Sequence, residues 1–362
     1  MSLLLRQKLP DFPWDALAPY AASAKKHPQG AIDLSVGTPV DATPDFIQKA
    51  FREASNSPSY PLTVGTLELR EAITQWAKKF LGASGDFGVL PLIGSKEFVA
   101  WLPTFIEAQT VLYPDVAYPT YLVGSLLAQA EATPVSIDTA TWPQADMAWV
   151  NSPSNPTGRV HSEVEFKSAI EWSRKNRSVV VSDECYLEFG DSVTPTSILK
   201  YTEGDNTNIL AIHSLSKRSS MAGYRAAFVV GDPALIARIL EVRKHAGMMV
   251  PLPVQVAMIA ALSDEVHVAE QRARYNARRA TLAPALQAAG FVIENSEAGL
   301  YIWATRHENC WDSISWLADI GIIATPGIFY GALGSSHIRI AMTATDLQIS
   351  EAASRIFDKE GA

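Results

Sequence analysis

Between about residue 66 and residue 250, short and wholly apolar runs alternate with helical patterns, and this alternation constrains the fold more than any other feature of the chain. Runs such as Val179-Val180-Val181 and Ala226-Ala227-Phe228-Val229-Val230 lack the polar alternation of a strand with one wet face, so they belong in a sheet covered on both sides. The intervening segments carry helical signals. Thr66 to Leu81 sets Leu69, Ile73, Trp76 and Phe80 on one face, Ser162-Glu163-Val164-Glu165 forms a capping box, and Asp232-Pro233 opens a helix bearing Leu235, Ile239 and Val242. Strand and helix in succession predict an α/β fold built of βαβ units.

Past residue 255 the pattern changes. A long helical stretch runs to Gly290 with Pro284 as an expected kink, and short strands follow around residues 291–293 and 300–303. A final helix spans Asp346 to Phe357, so this part reads as a smaller α+β domain. The expected division is residues 1–45 as an N-terminal arm and part of the small domain, 46–250 as the large domain, and 251–362 as the small C-terminal domain. The Pro-rich start, from Pro10 to Pro19, reads as an arm lying on a partner.

Charge narrows the partners. A formal net charge of −8 over 362 residues offers no basic stripe for nucleic acid or an anionic membrane, so any phosphate site must be local. No apolar run approaches the roughly 20 residues that cross a bilayer. The start, Met1 to Lys8, has too short an apolar part for a secretory signal, so the expected location is cytoplasmic. Cys185 and Cys310 have no metal-ligand or redox spacing and no HExxH occurs, so no metal is expected.

The chemistry begins at Ser214-Leu215-Ser216-Lys217, with Arg225 eight residues beyond the lysine. Taken alone this is a solvated lysine among serines. Its neighbours, the apolar runs 209–212 and 226–230, place Lys217 on a loop beyond a strand's carboxyl end, where open α/β sheets hold their ligands. A lysine amine there can join an aldehyde, an arginine fork can grip a phosphate, and hydroxyls can complete the cradle. Pyridoxal phosphate carries both groups, which points to amino-acid chemistry.

Other strand ends add polar groups. Gly94-Ser95-Lys96-Glu97 precedes a helical stretch, so it is either a plain cap or a second set of phosphate contacts. Asn151-Ser152-Pro153-Ser154-Asn155-Pro156 is a rigid turn, ordinary or built to aim Asn155 at the pyridoxal phenolate oxygen. Asp183, ending an apolar run, needs a positive partner, and a protonated pyridine nitrogen is one. Tyr186, three residues on, could reach the phenolate beside Asn155.

In this order and spacing, Gly-Ser-Lys-Glu, Asn-Pro-Thr-Gly, Asp-Glu-Cys-Tyr and Ser-Leu-Ser-Lys with Gly-Tyr-Arg resemble the class I/II aminotransferases of the fold-type I pyridoxal phosphate enzymes. The resemblance implies a mostly parallel seven-stranded sheet flanked by helices. It implies that Lys217 joins the cofactor and shuttles the proton between substrate Cα and cofactor C4′. It makes Asp183 the pyridine-nitrogen partner, Asn155 and Tyr186 the phenolate donors, and Arg225, Ser214, Ser95 and Lys96 the phosphate cup. Tyr118 matches the aromatic residue stacked on the ring, although a core tyrosine is the alternative, and Val116 stands where the family usually has proline. Arg339 matches the arginine that binds the substrate α-carboxylate, and Gly37 a glycine whose backbone lies by the substrate. Tyr60 matches a tyrosine reaching the neighbouring subunit's phosphate, which implies a homodimer with shared sites.

The string from Ser216 to Arg225 is similar to the form found in bacterial N-succinyldiaminopimelate aminotransferases. That implies amino transfer from N-succinyl-LL-2,6-diaminoheptanedioate to 2-oxoglutarate, giving glutamate. Aspartate, alanine or aromatic aminotransferases, a C–S β-lyase and a cofactor-binding regulator remain rivals. Arg6, Lys25, Lys26, Arg159 and Arg218 are the cations open to the substrate's distal groups, with no choice among them.

Overall fold

The computed structural model describes residues 9–360. Its strands in chain order are β1 (Ile32–Asp33), β2 (Gly88–Leu92), β3 (Thr110–Pro114), β4 (Glu131–Val135), β5 (Met147–Asn151), β6 (Val179–Asp183), β7 (Ile209–Ser214) and β8 (Ala227–Gly231). They continue as β9 (Val292–Ile293), β10 (Tyr301–Thr305), β11 (Ile322–Ile323), β12 (Thr325–Pro326) and β13 (His337–Ala341). Strands β2 to β8 form one sheet of seven in the order β2-β8-β7-β6-β5-β3-β4, in which only the β2–β8 and β8–β7 pairings are antiparallel. The mostly parallel seven-stranded sheet is therefore present, with β8 as its reversed member.

The apolar runs explain why this sheet is central. Every residue of β5, β6, β7 and β8 is buried, as strands with helices on both faces must be. Two apolar clusters fill its faces, one around Phe228, Ala211 and Phe166, the other around Phe98, Trp149 and Val229. Each fully buried Val, Leu or Ile there contributes about 1.5–3 kcal/mol. The expected helix starts are present. Thr66 accepts from the Leu69 N–H at 3.2 Å, Ser162 and Glu165 form a reciprocal capping box, and Asp232 accepts from Ala234 and Leu235.

A third cluster lies around the antiparallel sheet β12-β13-β10-β9 and the helices 266–288, 310–319 and 346–360. The parallel pair β1–β11 ties residues before 45 to it, and the Ala341 N–H donates to the Leu34 carbonyl at 2.9 Å.

Three expectations are corrected. The helix Leu252–Leu262, placed with the small domain by the division at 251, packs instead on the helices Asp45–Glu53 and Leu67–Trp76. Its Val254, Ala257, Met258 and Ala261 join the core beneath the seven-stranded sheet, because an almost wholly apolar helix must be covered on several sides. The stretch read as one helical pattern up to Gly290 is two helices, Leu252–Leu262 and Val266–Ala288, which meet at 79°, and the second includes Pro284. The Pro-rich start packs on its own chain from Trp14 onward: Trp14 meets Phe329 and Tyr330, and Leu17 is buried in the third cluster. Among the described residues no single helix is long and apolar enough to cross a membrane.

Candidate active site

Sheet topology gathers the site. Strands β2, β3, β5, β6 and β7 all run the same way, so their carboxyl ends share one edge, and the segments carrying Ser95, Tyr118, Asn155, Asp183 and Lys217 all leave from it. Because β8 is reversed, Arg225, two residues before its start, arrives at the same edge. Gly37 and Arg339 come from the other cluster, from the chain after β1 and from β13.

Lys217 sits in the single-turn helix Leu215–Arg218 that follows β7. The Ser214 hydroxyl accepts from the Ser216 N–H at 3.2 Å and donates to the Ser216 hydroxyl at 2.9 Å, which pins the turn. The Lys217 amine donates to the Gly37 carbonyl. Burial, with added repulsion from Arg339 and Arg225, holds the Lys217 pKa down to about 8, against an opposing pull from Cys185.

At the other side of the edge, the helix Ser95–Phe105 begins at Gly94 with no side chain capping its first-turn N–H groups. The Arg225 guanidinium lies against this helix start: a Cβ on Gly94, whose φ is +84°, would fall 2.1 Å from Arg225 Nη2. Free N–H groups, the positive helix end and a guanidinium make an anion site. Ser95 is the first residue of this helix, burial pushes the pKa of the nearby Cys185 thiol well up, and Lys96 Nζ lies 5.8 Å from the Phe12 ring centre.

Asp183 is buried at the end of β6, and burial pushes its pKa up against hydrogen bonds from Cys185 and Tyr121. The Tyr121 hydroxyl donates to Oδ2 at 2.9 Å and the Cys185 N–H to Oδ1 at 3.2 Å. Tyr121 itself is stacked on Trp149, with ring centres 4.9 Å apart, and Tyr118 meets Tyr121 edge-on at 5.9 Å. The turn carrying Asn155 is held by Asn151, which accepts from the Asn155 N–H at 2.7 Å and donates to the Asp183 carbonyl at 2.8 Å.

Arg339 is 3% exposed, too little for a charge without partners. It donates to Asn155 Oδ1 at 2.9 Å and to the Ser35 carbonyl at 2.5 Å, and its guanidinium lies 4.0 Å from the Tyr301 ring centre and 5.0 Å from that of Tyr330. Its Nε is buried with no partner, and no carboxylate pairs with it among the described residues. The Tyr186 hydroxyl lies 3.1 Å from that of Tyr301.

Thus Lys217, Asp183, Tyr186, Asn155, Arg339, Gly37, Tyr118, Ser95, Ser214 and Arg225 line one edge. Tyr60 is not among them: it stands 92% exposed on the chain's own surface. Of the cations left open for distal substrate groups, Arg159 is paired with Glu165 at 2.6 Å and Arg218 grips Glu188 through two nitrogens, so both are committed. Lys25 and Lys26 are exposed at the end of the helix Ala18–Ala24, and Arg6 lies outside the described residues. Tyr121, Tyr301 and Tyr330 escaped the sequence reading. Tyr121, three residues after Tyr118, was the one with a local signal. Among the described residues no cluster of three or more His, Cys, Asp or Glu stands in metal-ligand proximity.

A family model described as aminotransferase class I and II matches residues 29–356. The chain belongs to that family. The family is pyridoxal-phosphate dependent, and the unpartnered helix start beside Arg225, the buried Asp183 and the amine of depressed pKa fit such a cofactor. This aminotransferase is 49% identical over 358 residues to the 4-dedimethylamino-4-oxo-anhydrotetracycline transaminase OxyQ of Streptomyces rimosus, covering 97% of this chain and 99% of the other. It is 51% identical to the probable aminotransferase Rv1178 of Mycobacterium tuberculosis, over 96% of this chain and 85% of that one. Among solved structures, a probable N-succinyldiaminopimelate aminotransferase of Thermus thermophilus superposes with a TM-score of 0.88 at 26% identity, covering 96% of this chain and 100% of that one.

The depressed Lys217 pKa has a measurable consequence. An ammonium has no lone pair for an aldehyde, so cofactor uptake by the cofactor-free protein should climb by about tenfold per pH unit and level off above pH about 8. Stopped-flow absorbance after mixing with pyridoxal phosphate reads this rate. A rise continuing to pH 10, near the ordinary lysine value, would show that Lys217 is not held in the site as described.

Proposed function

We propose that this aminotransferase moves the amino group of N-succinyl-LL-2,6-diaminoheptanedioate to 2-oxoglutarate, within the diaminopimelate route to lysine. The observation that carries amino transfer is the approach of two cationic groups to one backbone turn: Lys217 Nζ donates to the Gly37 carbonyl while Arg339 donates to the Ser35 carbonyl two residues away. A carboxylate on the Arg339 fork holds an α-amino acid by the end that every such substrate shares. The same grip aims its Cα–H at the neighbouring amine. Lys217 takes the proton from Cα and returns it at the cofactor's C4′, a positioned general base that then serves as acid.

Bound pyridoxal phosphate supplies the electron sink for the charge left on Cα. Asp183 would hold the proton on the ring nitrogen, Asn155 and Tyr186 would donate to the phenolate oxygen, and Tyr118 would cover the ring. Arg225, Ser95, Lys96 and Ser214 would hold the phosphate. With the cofactor bound, the reaction would follow a ping-pong order in which the donor leaves as its keto acid before 2-oxoglutarate binds, and glutamate leaves last. The exposed Tyr60 is proposed to reach the phosphate in a partner subunit of a homodimer working in the cytoplasm.

The choice of donor is supported by the string from Ser216 to Arg225 and by the likeness to the Thermus thermophilus structure. The 49% identity to OxyQ over nearly both whole chains favours a second reading, in which the amino acceptor is the ring ketone of an oxo-anhydrotetracycline. Glutamate formation from 2-oxoglutarate decides among donors, with succinyldiaminopimelate set against aspartate, alanine and aromatic amino acids. The expected result is a kcat/KM for the succinylated donor at least about tenfold above the others. Preference for another donor, or glutamate-driven amination of the polycyclic ketone, would replace the lysine-pathway reading. Pyruvate release from cystathionine without a keto acid would mark a C–S β-lyase.

A further inference from the structure

Tyr301 lies buried on β10 and touches three site residues at once. Its hydroxyl is 3.1 Å from that of Tyr186, and either oxygen can donate. Its ring supports the Arg339 guanidinium at 4.0 Å. The same hydroxyl stands 2.1 Å from where a Gly37 Cβ would be, so it abuts the backbone whose carbonyl accepts from Lys217. A buried hydroxyl without a partner is costly. Tyr186 is that partner, and a phenylalanine would have filled the same space without needing one.

We propose that Tyr301 is a positioning residue that polarises Tyr186: its hydroxyl donates to the Tyr186 oxygen while Tyr186 gives its own proton to the cofactor's phenolate oxygen. The inference rests on the donor role proposed for Tyr186. A phenol has one proton to give. Once Tyr186 turns that proton to the phenolate, its lone pairs remain toward Tyr301, and the Tyr301 proton completes the contact. Hydrogen bonds in such a chain strengthen one another, so the phenolate is better stabilised than by Tyr186 alone. A better-stabilised phenolate lowers the proton affinity of the nitrogen that joins Lys217 to the cofactor.

Other groups also face the pair. Cys185 comes from the same loop as Tyr186, Arg339 from β13, Tyr118 from the loop after β3, Tyr330 from the turn after β12, and Tyr275 from the helix Val266–Ala288. Burial pushes the Cys185, Tyr118, Tyr330 and Tyr275 values up, which keeps these groups neutral, so Arg339 is the constant charge among the five. Tyr301→Phe leaves the ring beneath that charge unchanged.

The test is a pH titration of visible absorbance in the pyridoxal-phosphate-loaded enzyme, for wild type, Tyr186→Phe, Tyr301→Phe and the double variant. Tyr186→Phe should raise the midpoint by about one pH unit, the weight of one hydrogen bond to a charged group. Tyr301→Phe should raise it by about 0.1 to 0.3 unit, the cooperative share of that bond. The double variant should match Tyr186→Phe alone, since the outer bond acts only through the inner one. KM for the amino donor should stay level in Tyr301→Phe and rise in Tyr301→Leu, which also removes the ring under Arg339. An unmoved Tyr301→Phe midpoint beside a shifted Tyr186→Phe would overturn the relay and leave the Tyr186 role standing. No shift in either variant would overturn both, and additive shifts in the double variant would overturn the relay alone.

Discussion

Replacing Lys217 with alanine is expected to lower kcat by about 10⁴-fold or more for every amino donor, because a positioned acid–base group and the covalent tether vanish together. The fold should survive. The side chain makes one hydrogen bond, to the Gly37 carbonyl, and belongs to no ion pair among the described residues. Stability in the cofactor-free protein should even improve below pH 8. The folded pKa of about 8 lies below the ordinary value of 10.5, so the unfolded chain binds more protons between these limits and stability rises with pH across that window. Below it, the full cost of burying the ammonium is present, and alanine removes it. Single-turnover spectroscopy with thermal unfolding at pH 7 and pH 9 measures both effects. Turnover within tenfold of wild type would show that another group moves the proton.

The second large effect is expected at Arg339. Lysine in its place keeps the charge but not the planar fork, so a two-point grip on a carboxylate becomes a single contact. Asn155 Oδ1 and the Ser35 carbonyl, which accept from the two terminal nitrogens, would lose at least one donor in a buried setting. Disrupting a buried, hydrogen-bonded charge of this kind costs about 3–4 kcal/mol, which corresponds to a fall of about 10²- to 10³-fold in kcat/KM. Most of it should lie in KM. An amine donor lacking the α-carboxylate supplies the control: its rate should be nearly the same in Arg339→Lys and wild type. If both donors fell equally, Arg339 would be holding the site together rather than holding the substrate.

The succinylated-donor preference and the Tyr301 relay depend on separate properties. Donor choice concerns groups far from the reacting carbon, where Arg159 and Arg218 are already committed to Glu165 and Glu188. The relay concerns the cofactor oxygen and holds for any amino donor.

Much of the site was legible because its residues are local anomalies. Asp183 closes an apolar strand with a charge, Lys217 follows another between hydroxyls, and Asn155 stands in a turn stiffened by two prolines. Each breaks the pattern of its own neighbourhood, and such breaks in apolar runs need partners. Tyr121 and Tyr301 break nothing. An aromatic residue in an apolar segment is ordinary core by composition, and its hydroxyl acquires a role only when folding sets it 2.9 Å from Asp183 or 3.1 Å from Tyr186. The same limit misplaced the helix 252–262. Its sequence shows that it must be buried, but not which core covers it.

The set of elements and the polar residues at their ends follow from local pattern, because strand burial, helix capping and turn stiffness arise from neighbours along the chain. Which ends meet is settled only when the layers pack. The reversed β8 carries Arg225 to the start of the helix Ser95–Phe105, and β13 carries Arg339 to Asn155 and Ser35. Contacts between residues so far apart in sequence are set by the packing of whole layers, and no local stretch of chain encodes them.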